Sequence, residues 1–284
     1  MKNLILKSLV ALLSAVIPLL TSCSSSRQSV ASQESALQSA DTGSANMGAV
    51  APLSIDKVLE TVAESNTPWE KVLLDGKLSM KGLPMDLSVK IYMESGSTVL
   101  ISLRAPIMGE VARVESADGE LFVANRMKKV YIQDSLEVML SKIDMTVDDV
   151  QAIMLGRVFK LGGGTLTTSN LSDFQVGVDA SGAWAIIPAV QPQQASYGFT
   201  LTPRGEVKIL FAESVDGRYK ANADYAWKGS GGAKDVNLSI VVDDNLFRPE
   251  FSFNAPDFNP KPLARMSMGD GWKKVTVKEF MRSF

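Results

Sequence analysis

The chain has no histidine and a single cysteine. Without histidine, Ser-His-Asp and Cys-His catalysis and His-based zinc sites are excluded. One thiol permits no intramolecular disulfide, no CxxC redox pair and no cysteine cage for a metal. Charge of one sign is also lacking: 29 Lys+Arg stand against 31 Asp+Glu over 284 residues, a formal net charge of -2. No overall field gathers nucleic acid, which is not expected as a partner. An enzyme built from this chain would be left with carboxylate, lysine, serine or tyrosine chemistry.

The start of the chain is more informative. Lys2 and Lys7 lead into an apolar run from Ser8 to Leu20, broken by Ser14 and Pro18. A membrane-spanning helix needs ~20 apolar residues, so this run is too short to span and has the form of a signal-peptide core. The cysteine follows at once in Leu20-Thr21-Ser22-Cys23, which resembles the lipobox of bacterial lipoproteins. That resemblance implies removal of residues 1–22 and acylation of Cys23, with the membrane as a partner through N-terminal acyl chains. Several chains, each burying ~0.8 kcal/mol per methylene, make a stable anchor where one would be marginal. A secreted protein with a chance cysteine is the alternative. Residues 23–53 then read as a tether. Ser24 to Ala51 holds eight serines among 28 residues and no aromatic, too little apolar surface to offset ordering.

A single folded domain is expected over residues 54–284. Ile55, Val58, Leu59 and Val62 recur at helical spacing after Ser54, and Pro68 ends that helix. The period then switches to two: every odd position from Met85 to Met93 is apolar, and Val99, Ile101 and Leu103 continue the parity. Strands are expected at Val72–Met80, Glu110–Glu115, Glu120–Ala124 and Lys129–Gln133, with hairpin turns between them. Two helices interrupt the meander. Ser135–Ile143 puts Leu136, Met139, Leu140 and Ile143 on one face, and Thr146 with Asp149 starts a second helix that Gly156 stops. Strands resume after Gly162–Gly164 and run from Phe174 to a last one at Leu246–Phe253. Val207, Ile209 and Phe211 alternate among them, as do Val236, Leu238, Ile240 and Val242. About 11–12 strands in one mainly β (α+β) domain should curl or close rather than stay flat.

The run Arg104-Ala-Pro-Ile-Met-Gly-Glu-Val-Ala-Arg-Val114, then Lys128-Lys-Val-Tyr131 and Asp148–Gly156, resembles a gram-negative lipoprotein family of unknown function. That family is placed in the superfamily of the lipoprotein carriers LolA and LolB. The resemblance covers most of residues 55–255. It implies an incomplete antiparallel β-barrel, with helices as a lid over an apolar cavity that accepts acyl chains.

Val89, Ile91, Val99, Ile101, Leu103, Met139 and Met154 are the candidate cavity-lining residues, and each is equally compatible with ordinary core packing. Ile107 and Met108 sit in a turn that would normally be polar. By analogy with LolB they mark a membrane- or ligand-contact loop, unless the loop folds over the barrel mouth. Asp148–Asp149 reads as a helix first turn and Asp243–Asp244 as a hairpin turn, without the spacing of a calcium loop. Residues 254–284 read either as a strand and short helix covering a sheet edge or as a C-terminal extension that docks a partner. The expectation is a non-enzymatic lipoprotein without cofactor or metal, anchored in the outer membrane and facing the periplasm. It would bind an acyl chain, lipid or lipoprotein. The alternative is a closed-core accessory protein that scaffolds an envelope complex.

Overall fold

The computed structural model describes residues 55–80, 85–135, 145–179, 181–193, 195–228, 232–242, 245–276 and 279–280. The expected signal peptide, Cys23, the tether, the first inserted helix with Met139, and the Asp243–Asp244 turn lie outside the described residues.

Helix α1 (Ile55–Ser65) buries Val58 and Val62, one turn apart, while Lys57, Glu60 and Glu64 stay in water. Its last turn closes with Ser65 Oγ donating to the Val62 carbonyl at 2.7 Å. The chain then enters six successive antiparallel strands: β1 (Lys71–Met80), β2 (Leu87–Glu94), β3 (Thr98–Ala105), β4 (Gly109–Ala117), β5 (Glu120–Asn125) and β6 (Val130–Ser135). Their register aligns Leu74, Ile91, Ile101, Val114, Val123 and Ile132 in one row across the sheet. Alternation has put every apolar side chain of that row on the same face.

Helix α2 (Val147–Leu155) follows, then a two-residue hairpin of β7 (Phe159–Lys160) and β8 (Gly164–Thr165) where the sequence reading placed only a loop. A second meander is built from β9 (Phe174–Val178), β10 (Trp184–Pro188), β11 (Ala195–Leu201), β12 (Val207–Ser214), β13 (Tyr219–Trp227) and β14 (Ala233–Val242). The expected strand Leu246–Phe253 is two strands, β15 (Asn245–Phe247) and β16 (Pro249–Phe253), divided at Arg248. β15 pairs only with β14, whereas β16 lies between β14 and β1 and joins the two meanders.

The result is an open 15-stranded sheet, not closed into a barrel, in the order β17-β6-β5-β4-β3-β2-β1-β16-β14-β13-β12-β11-β10-β9, with β15 beside β14. That exceeds the expected strand number because the last strand split and a short β17 (Lys273–Lys274) was added, while β7 and β8 form a separate two-stranded sheet. One alternation also reads differently. The β11–β12 register shifts between Thr200 and Leu201, so Val207 and Leu210 are buried while Phe211 turns outward, 37% exposed. The bulge reverses the parity that Val207, Ile209 and Phe211 set in the sequence. Phe211 instead lies over Gly198, its cross-strand partner.

Residues 254–276 act as a strap. Asp257 exchanges backbone hydrogen bonds with Leu73, Arg113 Nη2 donates to the Ala264 carbonyl, and β17 adds to the β6 edge as the only parallel pair among the described strands. Arg113 and Glu115 face away from the Ile101–Val114 row, so the strap crosses the opposite face. Beneath it Arg113 is almost fully buried between Glu110 and Glu115, each at 3.2 Å, and Arg265 approaches Glu115 and Asp118 from the strap. Such a buried pair stabilises little against an apolar substitute, but losing one partner strands the other charge. Within this stretch, Lys273–Lys274 pair with the β6 edge.

The β16 seam leaves no room for a side chain at Gly76. A Cβ there would stand 2.1 Å from the Ser252 carbonyl oxygen and 2.8 Å from the Phe253 Cα, both backbone atoms. Gly76→Ala should destabilise the domain by about 2 kcal/mol or more, read as a lowered urea midpoint, while Gly269→Ala, whose Cβ would meet nothing, is the comparison.

Candidate functional site: the helix-covered sheet face

The apolar face runs from one meander into the other through β16. Leu78 pairs with Phe251, Phe251 with Val236, and Val236 with Tyr225; further along, Phe199 pairs with both Leu210 and Ile186. Each of these side chains is buried and belongs to one core cluster with Val58 and Val62 of α1 and Ala152 and Leu155 of α2. Fully burying one such side chain contributes ~1.5–3 kcal/mol, so this face holds most of the domain's cohesion. Buried Tyr92, Leu100, Ala117 and Ala124 lie outside that cluster, on the strap side.

The structure brings the sequence-selected residues together here. Val89, Ile91, Val99 and Leu103 are buried on this face, and Ile101 and Met154 are half-buried against the same cluster. Ile107 and Met108 stand elsewhere, at the tip of the β3–β4 hairpin. They are 93% and 49% exposed, so the loop is not folded over the sheet. A shallow cleft of about 410 Å³ beside β6 and β17, lined by Ile132, Asp134, Lys274 and Glu279 among others, brings no cluster of chemically convergent groups together.

Helix α2 bridges the two meanders. At its start Thr146 and Asp149 form a capping box: the Asp149 amide donates to Thr146 Oγ1, and Asp149 Oδ2 accepts from the Thr146 amide at 2.8 Å and from the Gly162 amide at 2.9 Å. From the next turn Gln151 Nε2 donates to the Glu94 and Thr98 carbonyls at 2.7 and 3.0 Å, and its Oε1 accepts from the Gly96 amide. Across the sheet, the Tyr225 hydroxyl of β13 donates to the Ile153 carbonyl at 2.9 Å. Gly156 ends the helix at φ 64°, where a Cβ would press on the Trp227 and Tyr225 rings. Arg157 then reaches back to the Thr67 carbonyl after α1. The sequence reading missed Gln151 and Tyr225; a glutamine between apolar positions of a helix was the available signal.

Burial raises the Asp149 carboxyl above the usual carboxylate range, against the lowering effect of the Gly162 and Thr146 hydrogen bonds, and Oδ1 has no partner among the described residues. Tyr197, whose hydroxyl accepts from the Leu161 amide, is pushed up to about 12, chiefly by burial, and stays protonated. These groups hold α2 and the β7–β8 hairpin in place. Among the described residues no group of three or more Cys, Asp or Glu is arranged to hold a metal.

The fold is thus a long open antiparallel sheet with the described helices α1 and α2 on one face. No family model matches the chain, and no curated protein matches it in sequence. Solved structures similar to it include a LolA superfamily protein from Nitrosomonas europaea, at 10% identity and TM-score 0.40, covering 74% of this chain and 96% of that one. A domain from Vibrio parahaemolyticus described as outer membrane lipoprotein-sorting is 9% identical, with TM-score 0.44 and coverage of 81% and 98%. A DUF1329 family protein from Desulfovibrio piger is 9% identical, with TM-score 0.44 and coverage of 72% and 93%.

The Asp149 carboxyl sets a pH dependence with a definite sign. Between the unfolded value of ~3.9 and its raised folded value, the folded state binds more protons, so wild-type stability falls as pH rises through that window. Asp149→Asn should lack this slope. Urea midpoints measured from pH 4 to pH 8 should shift in favour of wild type, relative to the variant, as the pH is lowered.

Proposed function

We propose that the protein is a lipoprotein of a gram-negative envelope, anchored through Cys23 at the outer membrane and facing the periplasm. Its helix-covered sheet face binds a hydrophobic ligand, an acyl chain or a lipoprotein, in lipid or lipoprotein trafficking. The carrying observation is how α2 sits on that face. Of its four buried residues, Asp149, Gln151, Ala152 and Leu155, two are polar and are held by hydrogen bonds to turn amides and carbonyls. A helix latched by a few polar contacts over a continuous apolar surface can lift as a unit and expose that surface. The resemblance of Leu103–Gly156 to a gram-negative lipoprotein family placed in the LolA and LolB superfamily supports the same reading. The reading is of binding rather than catalysis, because the shifted groups Asp149, Tyr197 and Tyr225 are each engaged in holding helix and hairpin.

A second reading has its own observation. Val89 and Ile91 are at 0% exposure and Val99 and Leu103 within a few per cent of it, as in a finished core. A closed-core scaffold for an envelope complex would look the same at these positions.

Gln151→Ala separates the two. Removing the hook leaves the Gly96 amide without its partner and takes one donor each from the Glu94 and Thr98 carbonyls, which should lower stability by about 1–3 kcal/mol. If α2 is a lid, the full-length variant should take up a fluorescent fatty acid at least several-fold faster than the parent in stopped-flow mixing. Absence of probe binding by both proteins would favour the closed core.

A further inference from the structure

An open sheet has two end strands, and each presents a row of unpaired backbone groups unless something covers it. The two ends of this sheet differ. On the β6 side the strap lays β17 along the edge and brings Lys273 and Lys274 with it. On the other side the strand order ends at β9, which pairs with β10 alone.

The hydrogen bonds flanking β9 fix which of its backbone groups point outward. The Asp179 amide donates to the Ala183 carbonyl and the Ala189 amide to the Asp173 carbonyl, each at 2.8 Å. Backbone groups alternate in direction along an antiparallel strand, so those of Asp173, Gln175, Gly177 and Asp179 face β10, and those of Phe174, Val176 and Val178 face away from it. The Phe174 amide is taken by the Leu171 carbonyl. The Val176 and Val178 amides and the three outward carbonyls have no partner among the described residues. From Phe174 to Val178 there is also no charged residue and no proline, and the β9–β10 register runs without a bulge. Phe174 is buried, Val176 is half-buried and Val178 is 41% exposed, opposite Pro188, Ile186 and half-buried Trp184 of β10. The apolar face therefore runs out to this edge and stops there.

We propose that β9 pairs with the β9 of a second copy of this chain, antiparallel about a two-fold axis at Val176, so that two domains share one continuous sheet. The pattern of the strand selects this occupant, because a two-fold contact must be complementary to itself. With Val176 opposite the partner's Val176, Phe174 falls opposite the partner's Val178. The Val176 amide then meets the partner's Val176 carbonyl, and the Val178 amide meets the partner's Phe174 carbonyl. The row Ile186–Val176 continues into its own symmetry mate, and Trp184–Val178 continues into the partner's Phe174 and the partner's Pro188. Both rows are apolar throughout, and such cross-strand pairs are what stabilises a sheet. At the strand ends Asp173 comes opposite the partner's Asp179, on the other face. Each already has a cation: Lys160 lies 3.0 Å from Asp173, and the Lys208 charge acts on Asp179. The inference stands whether or not the sheet face takes an acyl chain.

The test uses the chain from Ser24 onward, which holds every described element and omits the apolar Ser8–Leu20 run. It should sediment as a monomer–dimer equilibrium between ~10 μM and ~1 mM, the range of a weak pairing of few residues. Across that range the Val176 and Val178 amides should gain hydrogen-exchange protection several-fold with concentration, and the Val215 amide should not. Val176→Pro removes an amide that the single copy does not use, at a position where an edge strand tolerates proline. Val178→Lys sets a charge opposite the partner's Phe174. Each should weaken dimerisation at least tenfold while keeping the circular dichroism spectrum of the parent. Val215→Lys, the same change at a valine 69% exposed in the β12–β13 turn, should leave dimerisation unchanged. A parent that stays monomeric across the whole range, or a dimer that both β9 variants keep at parental strength, would overturn the proposal.

Discussion

Two meanders become one sheet because β16, the strand Pro249–Phe253, fits between β1 and β14 and pairs with both. The rest depends on that fit. The closeness of Ser252 to Gly76 requires glycine on β1, and Phe251 and Phe253 stack with centroids 5.7 Å apart on the buried face beside Leu78 and Val236. Without this seam the apolar surface would be two narrower strips, each with an unpaired strand edge. With it, a single face is wide enough for α2 to rest on both halves.

The two faces of the sheet are finished by different means. On one, apolar burial dominates and helices complete the cover, with Gln151, Asp149 and Tyr225 as the polar contacts that fix where α2 lies. Polar bonds of this kind add little net stability but are costly to break singly, so they set position more than strength. On the other, the C-terminal strap is held by Arg113, Glu115 and Arg265 over a small patch that includes Tyr92 and Leu100. Burial and the Glu94 carboxylate, to which its hydroxyl donates at 2.6 Å, push Tyr92 up to about 12, so it remains a donor. The domain thus spends its charged groups on the strap side and its apolar ones on the helix side.

Much of this was legible in the sequence where structure is local. The odd-numbered apolar residues from Leu87 to Met93, with Val99, Ile101 and Leu103, announced two strands and one buried face, and Thr146, Asp149 and Gly156 marked both ends of α2. What was not legible is non-local or depends on register. Nothing in Pro249–Phe253 says that it pairs with Lys77 and Leu78 from the other end of the domain. The β11–β12 bulge that turns Phe211 outward leaves no local mark either, because Val207, Ile209 and Phe211 alternate as an ordinary strand does. The site was half legible. Its strand residues followed from alternation, whereas Gln151 and Tyr225 act on partners that only the fold supplies.

The central claim is that β16 makes the two meanders one cooperative unit, and native-state hydrogen exchange in increasing urea tests it most directly. Backbone amides of β3 and β4 in the first meander, β12 and β13 in the second, and β16 between them should converge on a single opening free energy with a common urea dependence. If one meander opened at distinctly lower urea while the other kept its protection, the seam would be a contact between two independent sheets and the account would fail.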